Sequence, residues 1–160
     1  MTTTILWIHA TAGALWIGAC ACFVIAGLAL TPGSEEHRNF VVRSAPKIDR
    51  LAMLAAALLF LTGLVNLVQA AISRRFAFST GFTTVLAIKI LLFIAMLAMM
   101  RRATWIGARV RIAMKYAQEI EEKKRPEALA GILDRMVKAH AAIVAMGSIA
   151  LLLGLWLIGS

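Results

Sequence analysis

The chain has 160 residues, of which 61% are hydrophobic, and its mean hydropathy is +0.84. A soluble core of this size could not hide so much apolar surface, whereas runs of about 18 or more apolar residues are long enough to cross a bilayer. These values exclude a soluble globular protein and predict an all-α integral membrane protein.

The net charge is +9, from 17 basic and 8 acidic residues. In a soluble protein this excess would suggest a nucleic-acid partner. Here the basic residues lie almost entirely between the apolar runs, where they control membrane topology. No nucleic-acid partner is therefore predicted, and the bilayer is the expected surrounding.

The first apolar run covers residues 5–30 and is predicted to be a retained span. Residues 1–4 carry no side-chain charge, and the run is far longer than the roughly 7–15 residues of a signal-peptide core. Thr31, Pro32 and Gly33 should end the helix, because a proline followed by glycine cannot continue it. Cys20 and Cys22, two apart on this helix, are poorly placed for a mutual disulfide.

The remaining runs complete an antiparallel four-helix bundle within a single membrane domain covering residues 1–160. The four predicted spans are residues 5–30, 51–72, 82–100 and 139–158. The longest connection, residues 101–138, is predicted to be a cytoplasmic helical segment broken at Pro126. Short connections elsewhere suit an up-down topology.

The basic residues give the bundle an orientation. The connections after the first and third spans hold fourteen Lys and Arg residues, whereas the opposite side holds only Arg74 and Arg75. This positive-inside asymmetry predicts that both termini lie outside and that the basic connections lie in the cytoplasm.

The orientation also predicts which polar residues meet. His9 near the start of the first span, Lys89 in the third, and Asn66 with Gln69 near the end of the second all fall in the outer half of the bilayer. His140 opens the fourth span from the cytoplasmic side, about 20 Å or more from His9. The two histidines are therefore not expected to hold one metal between them.

Three short motifs carry a family resemblance. They are HxxxGxxW at residues 9–16, TGxxN at residues 62–66, and Lys89 with LLF following at 91–93. Together they resemble the CopD and HemJ superfamily of small membrane proteins of the bacterial inner membrane. The resemblance covers the first three spans, and the fourth matches only in hydrophobicity.

The resemblance implies a four-helix core in which His9 binds haem b and Lys89 is functionally required. In the HemJ branch the activity is protoporphyrinogen oxidation, and the CopD branch is associated with copper uptake. The implied partners are a porphyrin or an electron donor or acceptor such as a quinone, with a homo-oligomer left open. The segment at residues 22–36 lacks the aromatic and basic features of the HemJ branch, and the residues around Thr62 and Lys89 are nearer to CopD.

The residues around His9 support a cofactor on independent grounds. A neutral imidazole is an axial ligand for haem iron, and helical bundles house such cofactors in their cores. Gly13 at i+4 would leave room for a flat macrocycle, and Trp16 at i+7 would pack beside that macrocycle. A hydrogen-bonded structural histidine and a copper ligand remain alternatives, and the small residues could simply bring two helices close together.

Lys89 is the predicted catalytic residue. It could pair with a carboxylate of a haem or porphyrin, transfer a proton, or extend to the interface. The four predicted spans contain no Asp or Glu, which favours an anionic ligand from outside the protein. Thr62 and Asn66 would then serve as hydrogen-bond partners that orient the His9 ring or receive Lys89.

Two further possibilities concern metals at other positions. Thioether sulfur suits Cu(I), but the methionines form no dense array with histidines and are expected to fill the core, so copper transport ranks second. His140 is a candidate second metal site, although it and His37 lie near a boundary where water could hydrate them. The sequence thus predicts a haem b membrane protein that transfers electrons or oxidises a porphyrinogen, with a cofactor-free accessory subunit as a third alternative.

Overall fold

The computed structural model describes residues 3–31, 34–73, 78–116 and 125–159, and all of its regular structure there is helical. The helices are α1 (Thr3–Ala29), α2 (Glu35–Ser73), α3 (Thr80–Tyr116) and α4 (Arg125–Gly159). Each contains a stretch long and apolar enough to cross a membrane. The prediction of four apolar helices is confirmed.

Two serines define where α2 and α3 begin. The Ser34 hydroxyl accepts a hydrogen bond from the His37 backbone N–H at 3.1 Å, and the Ser79 hydroxyl accepts one from the Phe82 N–H at 3.2 Å. Each bond satisfies an N–H group that has no partner within the first turn of its helix. Acidic side chains in the first turn of α2 also complement the helix dipole. Helix α2 therefore begins directly after Ser34.

Helices α2, α3 and α4 extend well beyond the predicted spans. The polar segment at residues 35–50, predicted to be a connection, forms the first part of α2, and Pro46 is accommodated inside it. Pro126 does not interrupt a helix, because it lies in the first turn of α4, where its missing N–H needs no partner. The longer α2 brings Asp49 onto a helix that packs in the bundle.

Contacts along α1 show that α1 and α2 run antiparallel. The His9 ring, near the start of α1, meets Thr62 in the second half of α2. Phe23, near the end of α1, stacks on Phe40 near the start of α2, with ring centroids 5.7 Å apart. The order of these contacts is reversed between the two helices, as in an up-down bundle.

Helix α4 packs antiparallel to α1 and closes the bundle. Gly27 near the end of α1 lies against Val137, whereas Gly13 lies near Leu151, which is 14 residues further along α4. Helix α4 also packs along α3, and α1 and α3 are diagonal to each other. The end of the bundle where α1 begins therefore brings together the start of α3 and the ends of α2 and α4.

Two hydrophobic clusters fill the interior. The central cluster comprises Trp16, Cys20, Ala52, Ala55, Ala56, Met96, Met100 and Ile143. The second cluster comprises Phe23, Val41, Ala45, Leu133, Met136 and Val137. Large apolar side chains outside the clusters are exposed on the outer faces of the helices, as expected for surfaces that meet lipid.

Candidate functional site

The His9 ring is held by Thr62 on the neighbouring helix. His9 Nδ1 lies 2.9 Å from Thr62 Oγ1, and the Thr62 hydroxyl donates its own proton to the Leu58 carbonyl at 2.6 Å. Because a hydroxyl has one proton to donate, Thr62 must accept from His9. The hydrogen-bond network therefore assigns the proton of the neutral ring to Nδ1 and the lone pair to Nε2.

The backbone of α2 approaches the ring closely at Gly63. A Cβ atom at this position would lie 3.2 Å from His9 Cε1, closer than side chains normally approach. One turn of α2 thus supplies the Thr62 hydroxyl for Nδ1 and a glycine that lets the ring reach it.

Lys89 shares this end of the bundle with His9. Its Nζ atom lies 3.1 Å from the position that a Cβ of Gly154 would occupy, so the amine rests on the backbone of α4. Its charge acts electrostatically on the His9 ring. Lys89 is half-buried, and no carboxylate in the described parts of the chain forms an ion pair with it. The site therefore combines an imidazole and an uncompensated cation.

Asn66 lies one helical turn beyond Thr62 on α2. Its Oδ1 atom is buried, and no hydrogen-bond donor within the described residues reaches it. A buried amide oxygen without a donor is costly, since it has lost its water and gained no partner. The Asn66 oxygen is therefore an acceptor at this end of the bundle that lacks a hydrogen-bond donor within the described residues.

Gly13 and Trp16 contribute to packing in this structure. A Cβ on Gly13 would lie 3.5 Å from the Leu59 side chain, so the space beside this glycine is already filled. Trp16 is buried in the central cluster, where it packs edge-on against Phe93 with ring centroids 5.7 Å apart. The Trp16 Nε1 atom has no acceptor among the described residues. The glycine in contact with His9 is Gly63, the second residue of the TGxxN motif, rather than Gly13.

His140 occupies a separate site deeper in the bundle. Its Nδ1 lies 2.8 Å from the Met136 carbonyl, and its Nε2 lies 3.5 Å from Asp49 Oδ1. The ring centroid is 4.5 Å from that of Phe23, which lies about 21 Å along α1 from His9 at about 1.5 Å rise per residue. This spacing agrees with the expected separation of the two histidines.

The expectation that water hydrates His140 and His37 is wrong. His140 is fully buried, and His37 is 4% exposed. Asp49 lies outside the four predicted spans, but it is 6% exposed and its Oδ1 faces His140 Nε2. The polar composition of residues 34–50, which predicts a connection, conceals Asp49. The spacing along the chain could have predicted this burial. Asp49 lies three residues before Ala52 and seven before Ala56, which places all three on one helix face.

Two methionines and one cysteine contribute to the packing of the bundle interior. Met96 and Met100 are buried in the central cluster, and Cys20 and Cys22 are free thiols, the first buried and the second exposed. Within the described residues, no group of three or more His, Cys, Asp or Glu side chains could hold a metal ion. Met96 and Met100 act as packing residues here.

Comparisons with family models, with curated proteins and with solved structures found no match. What the site can do is therefore argued from its own chemistry. It offers one imidazole nitrogen with a free lone pair, one cation, and one unsatisfied amide oxygen at the same end of the bundle.

Proposed function

We propose that this protein is a haem b-binding protein of the bacterial inner membrane, with both termini outside, in which His9 is an axial ligand. The observation that carries the proposal is the hydrogen bond between His9 Nδ1 and Thr62 Oγ1. Histidines that bind a metal commonly donate their other ring N–H to an oxygen, which fixes the tautomer and the ring orientation. Here that oxygen is in place, and Nε2 keeps its lone pair.

One neighbouring group also fits a haem. Lys89 supplies a positive charge that could pair with a propionate, and it has no carboxylate partner in the described chain. A bound haem would contribute one-electron redox chemistry. The chain itself would orient the imidazole through Thr62, hold the carboxylate with Lys89, and exclude water.

Two activities are compatible with this site. An electron carrier needs only the ligand and a partner such as a quinone. A protoporphyrinogen oxidase-like enzyme also needs a group that binds the substrate carboxylate or moves a proton, and Lys89 is the residue proposed for that role. The orientation rests on the fourteen basic residues of the two connections against two on the other side.

The test is a reduced-minus-oxidised spectrum of the purified protein with a pyridine haem count per chain. We expect Soret and alpha bands that disappear in His9→Ala and persist in Thr62→Ser, which keeps the hydroxyl. A colourless protein from a haem-replete host, or bands unchanged in His9→Ala, would overturn the proposal. Metal-dependent uptake by a colourless protein would instead favour copper transport. A colourless protein without such uptake would favour a cofactor-free accessory subunit.

Rescue of a strain that lacks protoporphyrinogen oxidase separates the enzyme from the carrier. An enzyme should rescue growth in its native form and in Lys89→Arg, which keeps the charge, better than in Lys89→Met. A carrier should show full haem content and no rescue. Haem content is measured in every variant, so that loss of cofactor is not mistaken for loss of activity.

A further inference from the structure

A group of arginines lies where α3 leaves its apolar stretch. Helix α3 continues without interruption to Tyr116, and the first polar residues after the third apolar run are Arg101 and Arg102. Both side chains are exposed. Charged residues at this depth lie at the level of lipid headgroups, because the hydrocarbon region ends where the apolar run ends.

These arginines lie on the side of α3 that faces away from the bundle. Met100 and Ala103 are fully buried, and Ile106 packs against the second cluster, so they form the inward side of the helix. Trp105 is 55% exposed and lies one turn beyond Arg101. The outward side thus combines guanidinium groups with an indole, the pairing common at membrane interfaces.

A third guanidinium joins the group through Trp105. The Cζ atom of Arg109 lies 3.5 Å from the centre of the Trp105 ring, in a cation–π contact. This contact brings the charge of Arg109 to the level of Trp105. The outward side of α3 therefore carries Arg101, Arg102 and Arg109, the last of them in contact with the Trp105 ring.

The charges of these three arginines have no acidic partner among the described residues. In the ranges that the structure describes, neither ion pair involves Arg101, Arg102 or Arg109. An open surface pocket of about 400 Å³ is lined by Ala98, Arg101, Arg102 and Trp105. Along α3, Ala98 lies on the membrane side of this pocket, and the two arginines and then Trp105 follow away from it.

We propose that this pocket, called here the α3 arginine pocket, binds the headgroup of an anionic phospholipid of the surrounding leaflet. Guanidinium groups bind phosphate oxygens in a bidentate manner, and basic pockets at helix ends recruit anionic lipids. The position of Ala98 favours a lipid over a soluble anion, because Ala98 lies on the membrane side of the arginines, where it can contact the glycerol and upper acyl region. The proposal does not depend on a cofactor at His9.

Native mass spectrometry of the detergent-solubilised protein tests this assignment. Phosphatidylglycerol should bind more tightly than phosphatidylcholine, and the Arg101→Gln/Arg102→Gln variant should bind phosphatidylglycerol about tenfold or more weakly. The matched control is Arg43→Gln/Arg50→Gln, which removes the same charge from exposed positions on α2. This control should retain native affinity. Circular dichroism establishes that each variant is folded.

Three results would overturn the proposal. Equal weakening in both double variants would show that general electrostatic attraction is responsible. Displacement of phosphatidylglycerol by millimolar inorganic phosphate would show a site for soluble anions. Unchanged affinity in Trp105→Ala together with unchanged affinity in Arg101→Gln/Arg102→Gln would place the lipid elsewhere.

Discussion

Nε2 of His140 and Oδ1 of Asp49 face each other across 3.5 Å inside the bundle, and neither buried atom has a hydrogen-bond partner within the described residues. The Nδ1–H of His140 is donated to the Met136 carbonyl, so a neutral ring would present a lone pair to Asp49. An ionised carboxylate facing that lone pair would leave both buried atoms unsatisfied.

Removal of one partner from this pair should destabilise the protein strongly. For Asp49→Asn or His140→Gln we expect a loss of about 3 kcal/mol or more in the free energy of unfolding, because the remaining group is buried without compensation. The Asp49→Asn/His140→Gln variant should lose less than the sum of the two single changes. Unfolding in detergent, followed by circular dichroism, gives the values.

The control for this pair is the exposed ion pair between Asp134 and Lys138. Their atoms are 2.7 Å apart, but both side chains are more than half exposed, so solvent screens the interaction. Asp134→Asn should therefore cost about 0.5 kcal/mol or less. A similar loss in Asp49→Asn and Asp134→Asn would show that His140 does not depend on Asp49.

Loss of the Thr62 hydroxyl should weaken cofactor binding while leaving His9 in place. In Thr62→Val the His9 Nδ1–H loses its nearest acceptor, so we expect about 10- to 100-fold weaker haem binding. Haem titration of the apoprotein, monitored at the Soret band, measures this change. Thr62→Ser should bind nearly as well as the native chain. Equal binding by the valine and serine variants would remove Thr62 from the site.

A methyl group at Gly147 should be destabilising, whereas one at Gly131 should not. A Cβ at Gly147 would lie 2.6 Å from Ile17 Cγ1, so α1 and α4 would have to separate, at a cost of about 1–3 kcal/mol. A Cβ at Gly131 meets nothing within 4 Å, and Gly131→Ala should stabilise the helix by about 0.5–1 kcal/mol. Thermal unfolding of the two variants should shift in opposite directions.

The proposed orientation can be tested with single cysteines on the two sides of the bundle. In a Cys20→Ala/Cys22→Ala background, Ser79→Cys should react with a membrane-impermeant maleimide in intact cells, and Glu35→Cys only after permeabilisation. Both positions are exposed at helix starts. The reverse labelling pattern would invert the topology and place His9 near the cytoplasmic face.

The sequence was sufficient to predict four apolar helices and the end of the bundle where His9, Thr62 and Lys89 meet. Hydrophobic run length and helical spacing determine these features, because each depends on only one helix and its direction. The contact between Gly63 and His9 was missed because it depends on the rotation of α2 against α1. Spacing along a single helix carries no information about that rotation.

The polar pair at Asp49 was harder to predict for a different reason. Charged residues such as Arg50 surround it in the sequence, so residues 34–50 resemble a hydrated connection. The helix nevertheless continues through them from the cap at Ser34, and one face stays apolar at Val41 and Ala45. Asp49 is buried because the helix continues through this segment. An average of the hydropathy over residues 34–50 does not reveal that continuity.

The length of α2 has a consequence for how the protein resists unfolding. At about 1.5 Å per residue, a helix of 39 residues extends well past the roughly 30 Å of hydrocarbon, and α3 and α4 are nearly as long. The second cluster lies toward this extended end, where expelled water rather than lipid supplies the driving force for association. Urea, which weakens that force but does not enter the hydrocarbon, should therefore loosen this end of the molecule first and leave the His9 end folded.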